Sequence, residues 1–409
     1  MTRKNAFPLL FMLALSLTPV LTIEFPRMMA FWPQLIGLIG AAWFVFAEKK
    51  KLNFSKPYLY GALSISGLCL TSVLWSIAPS EALNHSLKIS AILISGSIFF
   101  ALCQSIERER LRPYYQMFPV AVIIACTLCY IELTWDMPLY RIIRGLEPGD
   151  YANPSEINRG VVCITFTLFI ALAFIKNMNE TRAIKALYTF GLTLSALLMF
   201  VLTDSQSSQL ACIMGLFIFA LFPYRYAPSY RILALLITAI IAATPFIVYY
   251  LYAALISTGQ DIPWLSQGYA GNRVEIWNFV TNYALNNPIY GYGVEATRYV
   301  TDFQHAHIYH NKSTTLHPHN FSIQIWIEFG VVGVLFLGTL LFSLAKKIQI
   351  QPDQSRKYIL SSSIAILSVA AMGYGAWQSW WLGEIVYIGA LCTLISSQYR
   401  HSEKNISEK

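Results

Sequence analysis

The stretch "HNFSIQIWIEFGVVGVLFLGTLLFSLA", His319 to Ala345, decides the fold. Its single formal charge is Glu328, and a helix of about 20 apolar residues suffices to cross a bilayer. Eleven further apolar blocks repeat this pattern, near 6–23, 28–47, 58–76, 87–104, 114–133, 159–176, 186–203, 208–223, 231–253, 358–376 and 381–398. The 409-residue chain is 56% hydrophobic and only 12% charged, about half the charged share of a soluble domain. The sequence therefore predicts an all-α polytopic membrane protein with about 12 transmembrane helices in a single transmembrane domain, residues 1–409. The first block lacks a small-residue cleavage site and reads as a retained helix.

The distribution of charge explains the net +8 without nucleic acid. Of the 29 Lys and Arg, 21 fall in alternate connections, from Arg3/Lys4 and Lys49–Lys51 to Lys346/Lys347 and the tail after Arg400. With twelve spans these lie on one side, which the positive-inside rule makes the cytoplasm, with both termini there. The seven cysteines sit in or beside apolar blocks, which predicts buried thiols rather than a disulfide or metal framework.

Two long connections remain on the outer side. The smaller covers 134–158 and the larger 254–318, between spans 9 and 10. Within the larger, "GNRVEIWNFVTNYALNN" (271–287) spaces Val274, Trp277, Phe279 or Val280, and Leu285 as a short amphipathic helix. "NNPIYGYG" (286–293) then supplies turn residues. Five of the chain's seven histidines, His305, His307, His310, His317 and His319, crowd just before span 10.

The outer side carries few cations: Arg27, Lys88, Arg141, Arg144, Arg159, Arg273, Arg298 and Lys312. Arg159 stands at the mouth of span 6 and Arg273 opens the amphipathic helix. A guanidinium near lipid is costly without an anion, and a phosphate fits its planar fork. Lipid headgroups or a loop carboxylate are the plainer partners. His319 is expected to begin span 10, with Ser322, Ile323, Trp326, Gly330 and Gly333 on its face, the glycines admitting a neighbouring helix. Its imidazole can accept a proton at neutral pH. Glu328 falls on the opposite face and reads as an interhelical polar tether. His305, His307 and His310 form H-x-H-x-x-H, which matches no strong zinc spacing; no metal and no cofactor are expected. There is no D-x-D pair and no glycine-rich phosphate loop, so a cytosolic nucleotide donor is unsupported.

His319-Asn320, nine residues, then Gly330-Val331-Val332-Gly333 resembles the H-[NSQ]-x9-G-x-x-[GTY] signature of the bacterial O-antigen ligases and their polymerase relatives. "NRVEIWNFVTNYALNNPIYGYG" (272–293) is similar to that family's R-x-x-x-W…P-x-x-G-x-G segment in the large periplasmic loop. The resemblance implies a membrane-embedded, GT-C-like glycosyltransferase of the bacterial inner membrane with its active site facing the periplasm. It implies transfer of a glycan from an undecaprenyl-diphosphate-linked O-antigen donor to a lipid A–core acceptor, without metal and with inversion. By position, His319 would deprotonate or orient the acceptor hydroxyl, and Arg273 and Arg159 would bind the donor diphosphate. Asn320, His317 and Arg298 are expected to line the site on the acceptor side. The family often shows T-x-S-R after the seventh span, where this chain has Thr203-Asp204-Ser205-Gln206. Two alternatives stay open: a polymerase joining lipid-linked repeats, and a transporter or flippase of lipid-linked sugars. The latter predicts a path of ionisable groups through the spans, for which only Glu328 and Glu384 are in place.

Overall fold

The computed structural model describes residues 3–147, 149–258, 269–300 and 315–407. Among them every regular element is helical. Numbering the longer helices in chain order gives α1 (Arg3–Leu21), α2 (Trp32–Ala42), α3 (Lys56–Ser72), α4 (Pro79–Ser105), α5 (Met117–Thr134), α6 (Asn158–Asn177) and α7 (Arg182–Leu202). These continue as α8 (Gln206–Leu221), α9 (Pro228–Thr258), α10 (Tyr269–Leu285), α11 (Phe321–Gln349), α12 (Asp353–Met372) and α13 (Ser379–Ser407). Each of the twelve apolar blocks falls on one of these helices, and α10 is the amphipathic helix expected between spans 9 and 10. Among the described residues, eight helices are long and apolar enough to cross a membrane, and three shorter apolar ones accompany them. The chain is a polytopic, all-helical membrane protein.

The centre of the bundle is α6. Its apolar residues from Val161 to Ile175 are almost all buried, against α5, α8, α12 and α13. The outermost helices do the reverse. Leu187 and Phe190 on α7, and Phe246 and Tyr250 on α9, each expose about two thirds of their surface. A water-soluble protein does not carry such a belt, whereas a bilayer solvates it.

Helices α9 and α11 depart from regular geometry, and both departures are repaired from outside. Pro245 lies inside α9 and has no N–H to offer the carbonyl four residues back, that of Ile241. The indole of Trp326 on α11 donates to that carbonyl at 2.9 Å. The second departure is in α11 at Gly330, whose φ of +58° and ψ of −147° break the helix. The break frees the carbonyls of Ile327 and Glu328 and the N–H groups of Val331 and Val332. The segment after α10 takes up all four: Tyr292 N–H donates to Ile327 at 2.8 Å and Gly293 N–H to Glu328 at 2.9 Å. In return, Val331 N–H donates to Pro288 at 2.8 Å and Val332 N–H to Ile289 at 3.2 Å.

This corrects the expectation that Gly330 admits a neighbouring helix. What approaches is an irregular loop segment, and a Cβ on Gly330 would collide with the carbonyl of Pro288 and lie 2.6 Å from that of Ile289. Gly291 (φ +64°) is crowded in the same way by Ile327 and Glu328 from the other side. Gly291 and Gly330 thus serve one joint.

The connection 134–158 is held by its own charges. Glu132 at the end of α5 accepts from the N–H groups of Leu139 and Tyr140, starting the short helix Pro138–Arg144. Arg141 bonds Asp136 at 2.6 Å and the carbonyl of Asp150 at 2.9 Å.

Candidate active site

His319 precedes α11 instead of beginning it, which corrects the helical face drawn from it. Asn320 is the N-cap, its side-chain oxygen accepting from Ser322 N–H at 2.9 Å and Ile323 N–H at 3.2 Å. His319 itself has a left-handed φ of +53°. For a residue with a Cβ this is a sparsely populated, strained conformation that the surroundings must impose.

Two groups impose it. Trp277 on α10 donates its indole N–H to the carbonyl of Pro318 at 2.7 Å. The Nδ1 of His319 lies 2.7 Å from the carbonyl oxygen of Gly373. A carbonyl only accepts, so Nδ1 carries the proton and the lone pair of the neutral ring is at Nε2. Burial lowers the pKa of His319 below the ordinary 6.5; the Gly373 carbonyl opposes this and the Arg273 charge adds to it. The imidazole is therefore neutral at pH 7, oriented, and basic at Nε2.

Arg273 lies four residues before Trp277, one turn earlier on the same face of α10. The indole that fixes His319 therefore also fixes the helix carrying this guanidinium. Burial lowers the pKa of Arg273, and the nearby Tyr374 opposes that shift. Arg159, in the first turn of α6, lies 6.0 Å from the ring of Trp380. Tyr374 packs edge-on against the same ring at 4.8 Å. Its phenol is raised to about 12 by burial, with Arg159 and Arg273 pulling it back. One tyrosine thus has both arginines as electrostatic neighbours, although α6 and α10 are more than a hundred residues apart. Both guanidinia are partly buried, and among the described residues neither pairs with a carboxylate. The other described arginines expected on the outer side behave differently: Arg141 is tied within its loop, Arg27 and Arg144 are exposed and Arg298 bonds Glu295 at 2.6 Å.

Sequence reasoning passed over the α12–α13 turn, residues 373–378, "GYGAWQ", as one more short connection. In the structure it is the wall of the site. Gly373 orients His319, Tyr374 joins the arginines, and Gly375 lies so close to the ring of His317 that a Cβ there would sit 3.0 Å from it. The amide of Gln378 is 2.9 Å from Nε2 of His317. The turn is secured to α11 from below: Ala376 N–H donates to Gln324 at 2.8 Å, while Glu328 accepts from both Gln324 and the indole of Trp377. Glu328 is thus a tether between α11 and this turn. A glycine-flanked aromatic cluster, "GYGAWQSWW", was the available signal.

His317 is buried, with its ring 4.2 Å from that of His319. Burial, followed by the neighbouring His319 ring and the charges of Arg298 and Arg159, pushes its pKa down to about 3, so it is a neutral neighbour. Arg298 reaches the site through this electrostatic influence while its guanidinium is held by Glu295. Asn320 contributes its side-chain oxygen to the helix cap. His305, His307, His310 and Lys312 lie outside the described residues. Among the described residues no cluster of three or more His, Cys, Asp or Glu could hold a metal.

The departure at 203–206 is also close to the site. Thr203 reaches Asn158, the residue before Arg159, at 3.5 Å, and the amide of Gln209 ties the α7–α8 turn through the carbonyls of Phe200 and Thr203. Gln206, where an arginine is often found, opens α8 and is exposed.

A model of the O-antigen ligase family matches residues 191–338, from α7 through the break in α11. A Rickettsia conorii protein named as a "Putative polysaccharide ligase" is 24% identical over 335 residues, covering 80% of this chain and 77% of that one. Its namesakes in Rickettsia felis and Rickettsia bellii are 24% and 23% identical, covering 81% and 84% of this chain and 79% and 81% of theirs. The matched segment contains Arg273, Trp277, Gly291, His319 and Gly330, so the joint and the oriented imidazole lie within it. By that segment and those relatives, this chain is similar to the O-antigen ligase family.

Proposed function

We propose that the protein transfers a glycan from undecaprenyl diphosphate to a sugar hydroxyl of lipid A–core at the periplasmic face of the bacterial inner membrane. The observation that carries this reading is the pairing of two partly buried arginines, free of carboxylates among the described residues, with a neutral imidazole whose tautomer is fixed. The positive-inside distribution supports the periplasmic placement of that end of the bundle.

In this mechanism Arg159 and Arg273 bind the donor diphosphate with paired hydrogen bonds. The acceptor hydroxyl gives its proton to Nε2 of His319 as its oxygen attacks the anomeric carbon. The carbon–oxygen bond to the diphosphate breaks, and undecaprenyl diphosphate leaves with the electron pair. The arginines stabilise the charge that develops there, commonly the largest catalytic contribution. The Gly373 carbonyl stabilises the imidazolium at Nδ1–H. In-line displacement inverts the anomeric centre. No residue in this scheme requires a metal or cofactor.

The test is acceptor dependence. Purified protein is given lipid-linked glycan with and without lipid A–core. Transfer only when lipid A–core is present is the expected result. Chain growth without it would replace this reading with that of a polymerase. Movement of lipid-linked sugar across vesicles that survives His319→Ala, with no transfer detected, would indicate a transporter.

A further inference from the structure

At the other end of the bundle the end of α6, the α8–α9 turn and the start of α12 surround a cavity of about 380 Å³. Lys176, Arg225, Arg356 and Lys357 line it, together with Asp353 and Tyr224. Lys176 is seventeen residues along α6 from Arg159, which places it about 26 Å from the candidate active site at 1.5 Å per residue. On α12 the cavity lies at the start of the helix, whereas Gly373 follows its end.

Four cations here face one carboxylate. Asp353 pairs with Arg356 at 2.8 Å, and among the described residues Lys176, Arg225 and Lys357 pair with none. The walls are held in place. Arg356 also donates to the carbonyl of Gln351 at 2.6 Å, and the hydroxyl of Tyr224 donates to that of Ile218 at 2.7 Å. The ammonium of Lys357 lies 4.6 Å from the ring of Phe219 and 5.0 Å from that of Tyr358, which orients it through their π faces. Basic side chains at helix ends ordinarily spread over headgroups as mobile charges. Here they converge on a concave volume within the size range of small-ligand sites.

We propose that this basket is a specific binding site for a phosphate-bearing anion, distinct from the donor-diphosphate site. Phosphate chemistry fits because Arg225 and Arg356 offer planar forks and the lysines add point charge. The phosphate comes either from a soluble compound or from an anionic lipid headgroup.

The test uses the full chain carrying Arg273→Ala, which removes the proposed donor site, so that the transfer reaction does not enter. Inorganic pyrophosphate is titrated calorimetrically in detergent. Separately, melting temperatures are compared in phosphatidylcholine nanodiscs with and without phosphatidylglycerol. Saturable pyrophosphate binding weakened about tenfold by Arg225→Gln or Lys357→Gln supports a soluble ligand. A higher melting temperature in the phosphatidylglycerol discs, lost in the same variants, supports a headgroup. Equal melting of variants and parent in pure phosphatidylcholine confirms folding, and Lys176→Gln serves if either variant fails that control. Absence of both effects, or their persistence in the folded variants, overturns the proposal.

Discussion

Trp277 on α10 and Pro318 before α11 share a 2.7 Å hydrogen bond from indole to carbonyl. That bond joins the helix carrying Arg273 to the residue preceding His319, and so sets the base and one cation against each other. Trp277→Phe keeps the ring and removes the N–H. The expected outcome is a roughly tenfold fall in kcat with the melting temperature lowered by only a few degrees, since one neutral hydrogen bond contributes about 1 kcal/mol. Unchanged kcat in the folded variant would reduce Trp277 to a packing role.

Arg273→Ala should lower transfer by about 100- to 1,000-fold, the usual effect of removing one preorganised donor from developing negative charge. Arg273→Lys should recover little, because an ammonium cannot reproduce two parallel hydrogen bonds to a diphosphate. Both are read in the acceptor-dependent assay with circular dichroism as the folding control. Full activity in the lysine variant would mean that charge alone suffices.

The pH profile should carry an acid limb below 6.5. In the proposed mechanism His319 works as neutral imidazole, and burial holds its pKa under that ordinary value. Lowering the pH past 6.5 therefore leaves kcat/KM intact until the shifted pKa is reached, after which activity falls. A limb centred above 6.5 would contradict the neutral, Nδ1-protonated ring.

Stability should show a separate acid dependence through His317. Its pKa is about 3 when folded and near 6.5 when unfolded, so the unfolded chain binds more protons between those values. The contribution is complete above pH 6.5 and is lost as pH falls toward 3. His317→Gln should flatten the fall in melting temperature over that window relative to wild type. Parallel curves would show that His317 titrates alike in both states.

Gly330→Ala should destabilise the fold by about 2–4 kcal/mol, combining an unfavourable positive φ with overpacking against Pro288 and Ile289. Thermal denaturation in detergent measures it. A loss below half a kcal/mol would mean that the joint relaxes without cost.

Much of this molecule was legible as pattern. Apolar blocks located the helices because a bilayer demands long, uncharged segments, and the spacing of Val274, Trp277 and Val280 located α10. The strained conformation of His319 was not legible, since it is set by Gly373 and Trp277 from distant helices. The role of the 373–378 turn was hidden for the same reason: its work is done by one backbone carbonyl and by side chains that meet His317 only after folding. Gly330 was visible as a glycine, but its partner was not, because the freed groups of a broken helix carry no mark in the sequence. Arg159 and Arg273 were singled out by their places in the sequence, but their lack of a carboxylate partner among the described residues, unlike Arg141 and Arg298, was not legible. Partnership, more than residue type, separates them.

The break in α11 makes that helix two rods with a splint across the fracture. The splint is the segment Pro288–Gly293, which continues directly from α10. Tilting or stretching of the lower rod by a thicker or thinner bilayer reaches the upper one through this hinge and not along a continuous helix. The geometry around His319 is thereby referenced to the segment that follows α10 as well as to the lower half of α11.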